Sequence, residues 1–353
     1  MVSLQTIQQS NARIASSLPA GLVALFIGAT KGIGQSALQH LARHAPPSAR
    51  IYSVARPGAA AAHEELLASL RRDRPDATFT LITADTSLVS EVDRAVAVFR
   101  GEVKKLDLLV LSAGFMALGA RDEDTSEGLD PSMSTRYYSR LRAVQLLLPL
   151  LKAAENPRIV SVLAGGMEAP LNEADLDLRA PGAWSSWGVS RHTATMGTLA
   201  LERLARSSGS GSGQNSDPNP RLSIVHWFPG TVETPGLERL RQLGGPEMRA
   251  RLQNAKSQDE AGALGLFLAT SARYAAAAAR QQGQPQGLVP VPEGLDFAKL
   301  SGGGIFLVDA EGESVDNEEV LAEMRQRGVD EVVWDQTLKV FAACTSQGEP
   351  HDS

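Results

Sequence analysis

A short apolar run, Leu22 to Ile27, ends in Gly28-Ala29-Thr30-Lys31-Gly32-Ile33-Gly34, after which the pattern turns helical. Glycines at G-x-x-x-G-x-G spacing let the chain turn sharply, and they let a pyrophosphate approach the positive N-terminus of the helix that follows. Lys31 in the turn and Arg56 just past the next apolar run, Arg50–Ala55, add two cations that can reach a further phosphate. His192, beside Arg191, is the one side chain of its helical stretch whose ordinary pKa suits proton transfer near neutrality. The competing reading of His192 is a helix histidine hydrogen-bonded into the core. Tyr137 and Tyr138 bring phenols beside Arg136; Tyr137 shares a helix-spaced apolar stripe with Leu141, Val144, Leu148 and Leu151, which leaves Tyr138 as the candidate of the two. His40 and His44 lie four apart on a helix with no third ligand near, so no metal site is expected. Glu168 and Asp175 fall in an acidic stretch that reads either as a solvated loop face or as a substrate contact.

These groups need a frame, and the chain alternates strand and helix in a way that supplies one. Strands are expected at Leu22–Ile27, Arg50–Ala55, Thr78–Thr83, Asp107–Ser112, Arg158–Leu163, Arg221–Phe228 and Gly304–Val308, with helices near 34–43, 61–72, 89–103, 126–154 and 189–206. Parallel strands require crossover helices, and strands apolar throughout are those covered on both faces. The expected fold is therefore a doubly wound α/β domain spanning residues 1–353. Residues 3–17 carry a weak helical pattern, Asp316–Gln326 and Asp330–Ala343 read as terminal helices, and 235–300 reads as an Ala-rich helical cap beside the site. Ser207 to Pro220 is a Gly/Ser/Asn/Pro run expected as a flexible loop.

Composition narrows the function. With 34 Lys+Arg against 40 Asp+Glu the net charge is −6, which gives no footprint for nucleic acid or anionic lipid. Cys344, the single cysteine, excludes a disulfide framework. The uncharged, apolar stretch Leu108 to Ala120 is too short and too broken by glycine to span a bilayer, and a cytoplasmic location is expected.

The sequence resembles the short-chain dehydrogenase/reductase family over most of its length, in a divergent form similar to fungal members associated with secondary metabolism. Residues 28–34 match the family's glycine motif, Asp85 its adenine-contacting Asp, and Leu111-Ser112-Ala113-Gly114 its Asn-Asn-Ala-Gly. Pro229-Gly230-Thr231-Val232-Glu233-Thr234 matches its Pro-Gly motif, whose Thr holds the nicotinamide amide. The resemblance implies a Rossmann-like sheet, a nicotinamide cofactor held by these residues, and a homodimer through the fourth and fifth helices. Selection of NAD needs an acidic residue at the end of the second strand; Arg56 stands there, so NADP(H) is expected.

The family's catalytic set is altered at every position. Its Ser place holds Ala164 (Leu163 if the register slips), its Tyr and Lys places hold Ser185 and Val189, and its Asn place falls near Arg136. A register shifted by two gives Trp187 and Arg191 at the Tyr and Lys spacing. The expected enzyme is an NADP(H)-dependent oxidoreductase acting on a small apolar metabolite, polyketide- or terpenoid-like, with Tyr138, His192 or water as proton donor and Arg191 holding an oxyanion. A redox-neutral isomerase, dehydratase or cyclase, and an inactive cofactor-binding protein, are the alternatives.

Overall fold

The computed structural model describes residues 2–115, 121–209, 222–243, 245, 249–250, 252–281 and 285–346, with side chains of 207–209 excepted. Seven strands, β1 Val23–Ile27, β2 Arg50–Ala55, β3 Thr78–Thr83, β4 Leu108–Leu111, β5 Arg158–Val162, β6 Ser223–Trp227 and β7 Phe306–Val308, form one parallel sheet ordered β3-β2-β1-β4-β5-β6-β7. β1, β4, β5, β6 and β7 are buried along their whole length, which is why they read as largely apolar runs, with only Arg158, Ser161, Ser223 and His226 interrupting. The direction of strand addition reverses at β1, which pairs with both β2 (Ile27 with Val54) and β4 (Ile27 with Leu111). Carboxyl ends of these three strands are therefore level, and the crevice outside such a switch point is where open α/β sheets bind ligands.

In chain order the helices are α1 Leu4–Asn11, α2 Ile14–Ser17, α3 Gly32–His44, α4 Pro57–Asp73, α5 Val89–Glu102, α6 Pro131–Met133, α7 Ser139–Lys152, α8 Ser186–Gly209, α9 Pro235–Leu243, α10 Gln258–Thr270, α11 Ala277–Arg280, α12 Glu318–Gln326 and α13 Val329–Ser346. One apolar layer, on the side of α5, α7 and α8, includes Phe99, Val144 and Leu199; the other, on the side of α3, includes Leu38, Trp227 and Phe267. α5 is a typical case: Val92, Ala95, Val96 and Phe99 recur at helical spacing on its buried face, and each such side chain contributes roughly 1.5–3 kcal/mol by leaving water.

The stretch expected as a cap divides differently. α9 carries exposed charge, but every residue of α10 from Ala261 to Thr270 is buried. A Cβ on Gly262 would come within 2.1 Å of Ser36 Oγ on α3, and one on Gly265 within 3.3 Å of the Trp227 ring. α10 is thus a core helix, apolar all round because it is enclosed. The expected loop at 207–220 starts inside α8, which runs to Gly209; residues 210–220 lie outside the described residues. No helix is long and apolar enough to cross a membrane among the described residues.

Candidate cofactor cleft and active site

The glycine turn is built so tightly that side chains are excluded. Gly28 has φ +96°, and a Cβ there would lie 2.1 Å from the Ala113 backbone nitrogen; a Cβ on Gly34 would lie 2.3 Å from the Gly28 carbonyl oxygen. Ser112 and Ala113 both donate their N–H groups to the Ile27 carbonyl, at 2.8 and 3.0 Å, which locks the end of β4 to the end of β1. α3 then begins at Gly32 with no side-chain cap and no acidic residue in its first turn. Its leading N–H groups, and the positive end of its dipole, are left for an anion.

Around this turn stand the other residues expected to hold a nucleotide. Thr234 Cγ2 would be 3.3 Å from a Cβ on Gly32, and its Oγ1 accepts from Leu237 N–H to start α9. Gly230 has φ +72° and follows buried Pro229. Asp85, just after β3, accepts from the Ser87 N–H and hydroxyl at 2.9 and 2.8 Å. Lys31 and Arg56 are exposed, with Arg56 directly at the end of β2, and neither makes an ion pair among the described residues. Thr30 and Ile33 are half-buried beside them. The glycine cradle, the uncapped helix and the two cations form a donor set that fits a dinucleotide phosphate.

The residues expected to do proton chemistry are placed less favourably. Tyr138 is fully buried and donates its hydroxyl to Asp177 at 2.6 Å. Burial, and then the Asp177 charge, push the phenol well above its usual range, so it holds its proton. His192 is buried with Nε2 donating to the Leu176 carbonyl at 2.9 Å, and burial lowers its pKa. This is the core-histidine arrangement. Tyr137 is likewise core, bonded to Thr337 at 2.6 Å. Arg191 is exposed near the start of α8, and Trp187, one turn earlier, is 55% exposed. His40 bonds the backbone and carboxylate of Asp259.

Glu168, expected as solvated or substrate-facing, is instead buried in a polar chain. Its carboxylate accepts from Thr198 Oγ1 at 2.6 Å, from Gly166 N–H at 3.1 Å and from Asn317 Nδ2 at 3.0 Å. Thr198 has only one hydroxyl proton, and it goes to Glu168. His226 Nδ1, 2.8 Å from the same oxygen, must therefore carry a proton and donate, leaving Nε2 bare toward the Ala164 N–H at 3.4 Å. Burial, with Arg140 adding to it, drives the His226 pKa down to about 4, so the ring is neutral. The sequence signal for this cluster is faint: one histidine inside the apolar strand Ser223-Ile224-Val225-His226-Trp227.

Arg136 occupies a π-helical turn, Ser134–Tyr138, between α6 and α7. Such turns insert a residue and re-aim the side chains around it. Arg136 is 7% exposed and its Cγ would lie 3.2 Å from a Cβ on Gly114, so the stem of its side chain lies against the turn that follows β4. Arg140, one turn on, donates to the carbonyls of Ala113 and Val162 and to Ser161 Oγ. Burial lowers the pKa of Arg136 to about 10 and that of Arg140 to about 9, so both stay charged at neutrality.

With this geometry in place, comparison with known proteins is direct. Residues 22–173 match the short chain dehydrogenase family. The NmrA-like family domain-containing oxidoreductase notO of Aspergillus sp. (strain MF297-2) is 57% identical over 99% of this chain and 97% of its own length. The chain belongs to the short-chain dehydrogenase family. Oxidoreductase AN1596 of Emericella nidulans is 37% identical over 96% of this chain and 97% of its own length. Among solved structures of the short-chain dehydrogenase fold, YwfH, an NADPH dependent reductase involved in bacilysin biosynthesis, is similar at TM-score 0.54 and 15% identity, over 78% of this chain and 98% of that one. A short chain dehydrogenase from Burkholderia cenocepacia, in complex with NADP, gives 0.51 and 21% over 71% and 91%. At these identities the likeness is one of fold, and it agrees with the strand order read above.

Proposed function

We propose that this short-chain dehydrogenase is an NADP(H)-binding oxidoreductase acting on a small, largely apolar metabolite. The observation that carries the reading is the uncapped start of α3 in its glycine cradle, flanked by Lys31 and Arg56 with no acidic residue at the end of β2. Gly28, Thr30, Gly32, Ile33 and Gly34 would hold the pyrophosphate. Asp85, Ser112, Ala113 and Gly114 would line the adenosine side, Pro229, Gly230 and Thr234 the nicotinamide side, and Arg56 with Lys31 the 2′-phosphate. NADP complexes of fold relatives agree with that choice. When bound, the cofactor supplies or accepts hydride. An apolar substrate is favoured by Phe115 after β4, Met167 after β5 and Trp187 at the start of α8, which are 39%, 42% and 55% exposed at the carboxyl side of the sheet.

A redox-neutral reaction is the second reading, and a specific observation favours it. Ala164 and Val189 stand in the Ser and Lys places, and Tyr138 and His192, the nearest candidates to replace the proton relay, are both committed to internal partners. Such a site orients and desolvates a reactive molecule without a dedicated acid. The deciding experiment offers ketone and quinone substrates with NADPH and follows the absorbance of the reduced nicotinamide. Consumption matched to product supports the redox reading; product formed equally without cofactor overturns it.

A further inference from the structure

We propose that Arg136 is the anion-binding group of the substrate cleft, and that the substrate is an otherwise apolar molecule carrying one anionic oxygen: a carboxylate, enolate or phenolate. The inference rests on the cleft lying at the carboxyl ends of β1, β4 and β5, as in the reading above. Its basis is an unbalanced charge. Other arginines of comparable burial donate to partners inside the protein, although Nε of Arg158 and of Arg273 is also bare: Arg158 donates to the carbonyls of Leu268 and Ser271, Arg273 to the Asp296 carbonyl and the Glu313 carboxylate, and Arg140 to Ala113 and Val162. Arg136 makes no hydrogen bond and no ion pair among the described residues, and its buried Nε is without a partner.

Two features make this a site and not an accident of packing. The π turn places Arg136 against Gly114, where the missing side chain leaves room for its stem at the carboxyl end of β4. Arg140 lies behind it and also lacks a carboxylate partner among the described residues, so the two guanidinium groups repel each other with no counter-charge of the protein's own. Buried charges are normally paired, because an unpaired one forfeits hydration without return. A ligand oxygen supplies the missing charge, and the planar guanidinium fork suits a two-oxygen acceptor in particular. Exposed Phe115 and Met167, on the segments leaving β4 and β5, would receive the apolar body.

The test compares naphthoate with naphthamide, equal in shape and differing in charge, by calorimetry on the full chain with and without NADP+. The wild type is expected to prefer the carboxylate by about 10- to 100-fold, the range of a charge-assisted bond. Arg136→Met should abolish that preference, Arg136→Lys should keep part of it, and NADPH affinity should be unchanged in both. Equal binding of the two probes by the wild type overturns the proposal even if the variants fail to fold. So does a preference that survives Arg136→Met, or a loss of NADPH affinity with the carboxylate preference intact, which would assign Arg136 to the cofactor. Failure of NADPH to bind at all would strike the preceding reading, whereas the carboxylate preference measured without nucleotide would still decide this one.

Discussion

At the scale of single residues, the cleft is set by where side chains are forbidden. Gly28 combines a positive φ with backbone at 2.1 Å from any Cβ, so Gly28→Ala must push β1 and β4 apart. Stability should fall by at least about 2 kcal/mol in urea melts, because neither backbone has anywhere to move. Gly58, in the first turn of α4 with nothing near its missing Cβ, is the control: Gly58→Ala should change stability by less than about 1 kcal/mol and in the favourable direction. Equal losses at both positions would contradict a role for the cradle. The glycine spacing made this turn legible from sequence, since it encodes a local backbone path. Arg136 was legible only as a position, because its lack of a partner is a property of the folded surroundings.

At the scale of elements, the seven strands were readable because most are covered, largely apolar runs between turn residues, although several ends lie a residue or more inside the expected ones. The chain Asn317–Glu168–Thr198–His226 was not readable: it joins the loop after β5, α8, β6 and the segment before α12, far apart in sequence. Tyr138 and Asp177 met for the same reason, and a helical pattern could not show that π geometry interrupts α7 at its start. Residues 235–300 read as one helical stretch because composition does not separate the enclosed α10 from the exposed α9. The polar chain has a pH signature. The His226 pKa is about 4 in the folded protein against 6.5 unfolded, so between those values the unfolded state binds more protons. Stability should therefore be intact above pH 6.5 and decline as pH falls toward 4, by on the order of 2–3 kcal/mol from this group. His226→Gln should be less stable at neutral pH yet show a shallower acid decline in denaturant titrations. An unchanged slope would mean that other groups control the acid limb.

At the scale of the whole molecule, the C-terminal helix alters what the family resemblance implies. A homodimer was expected through α7 and α8, yet α13 lies over that side. Thr337 bonds Tyr137, Phe341 stacks under Arg142 with 5.2 Å from guanidinium to ring centre, and Asp330 pairs with Arg206 of α8. Val333, Val340 and Cys344 join the same apolar layer as Val144 and Leu199. We expect these contacts to take the place of a partner on this face. Light scattering should accordingly give the 37.4 kDa monomer, and a stable dimer would show that pairing uses another face. The sheet, the glycine cradle and the two cations remain arranged about one crevice, and the claim that this crevice holds NADP(H) is tested most directly by titrating NADPH and NADH, by calorimetry, against the wild type and Arg56→Ala. A charge-assisted contact to the 2′-phosphate contributes roughly 1.5–3 kcal/mol, so the variant should bind NADPH about 10- to 100-fold more weakly and NADH unchanged. The NADPH loss should shrink at high salt, since Arg56 is exposed. Equal losses for both nucleotides, or no binding of either by the wild type, would contradict it.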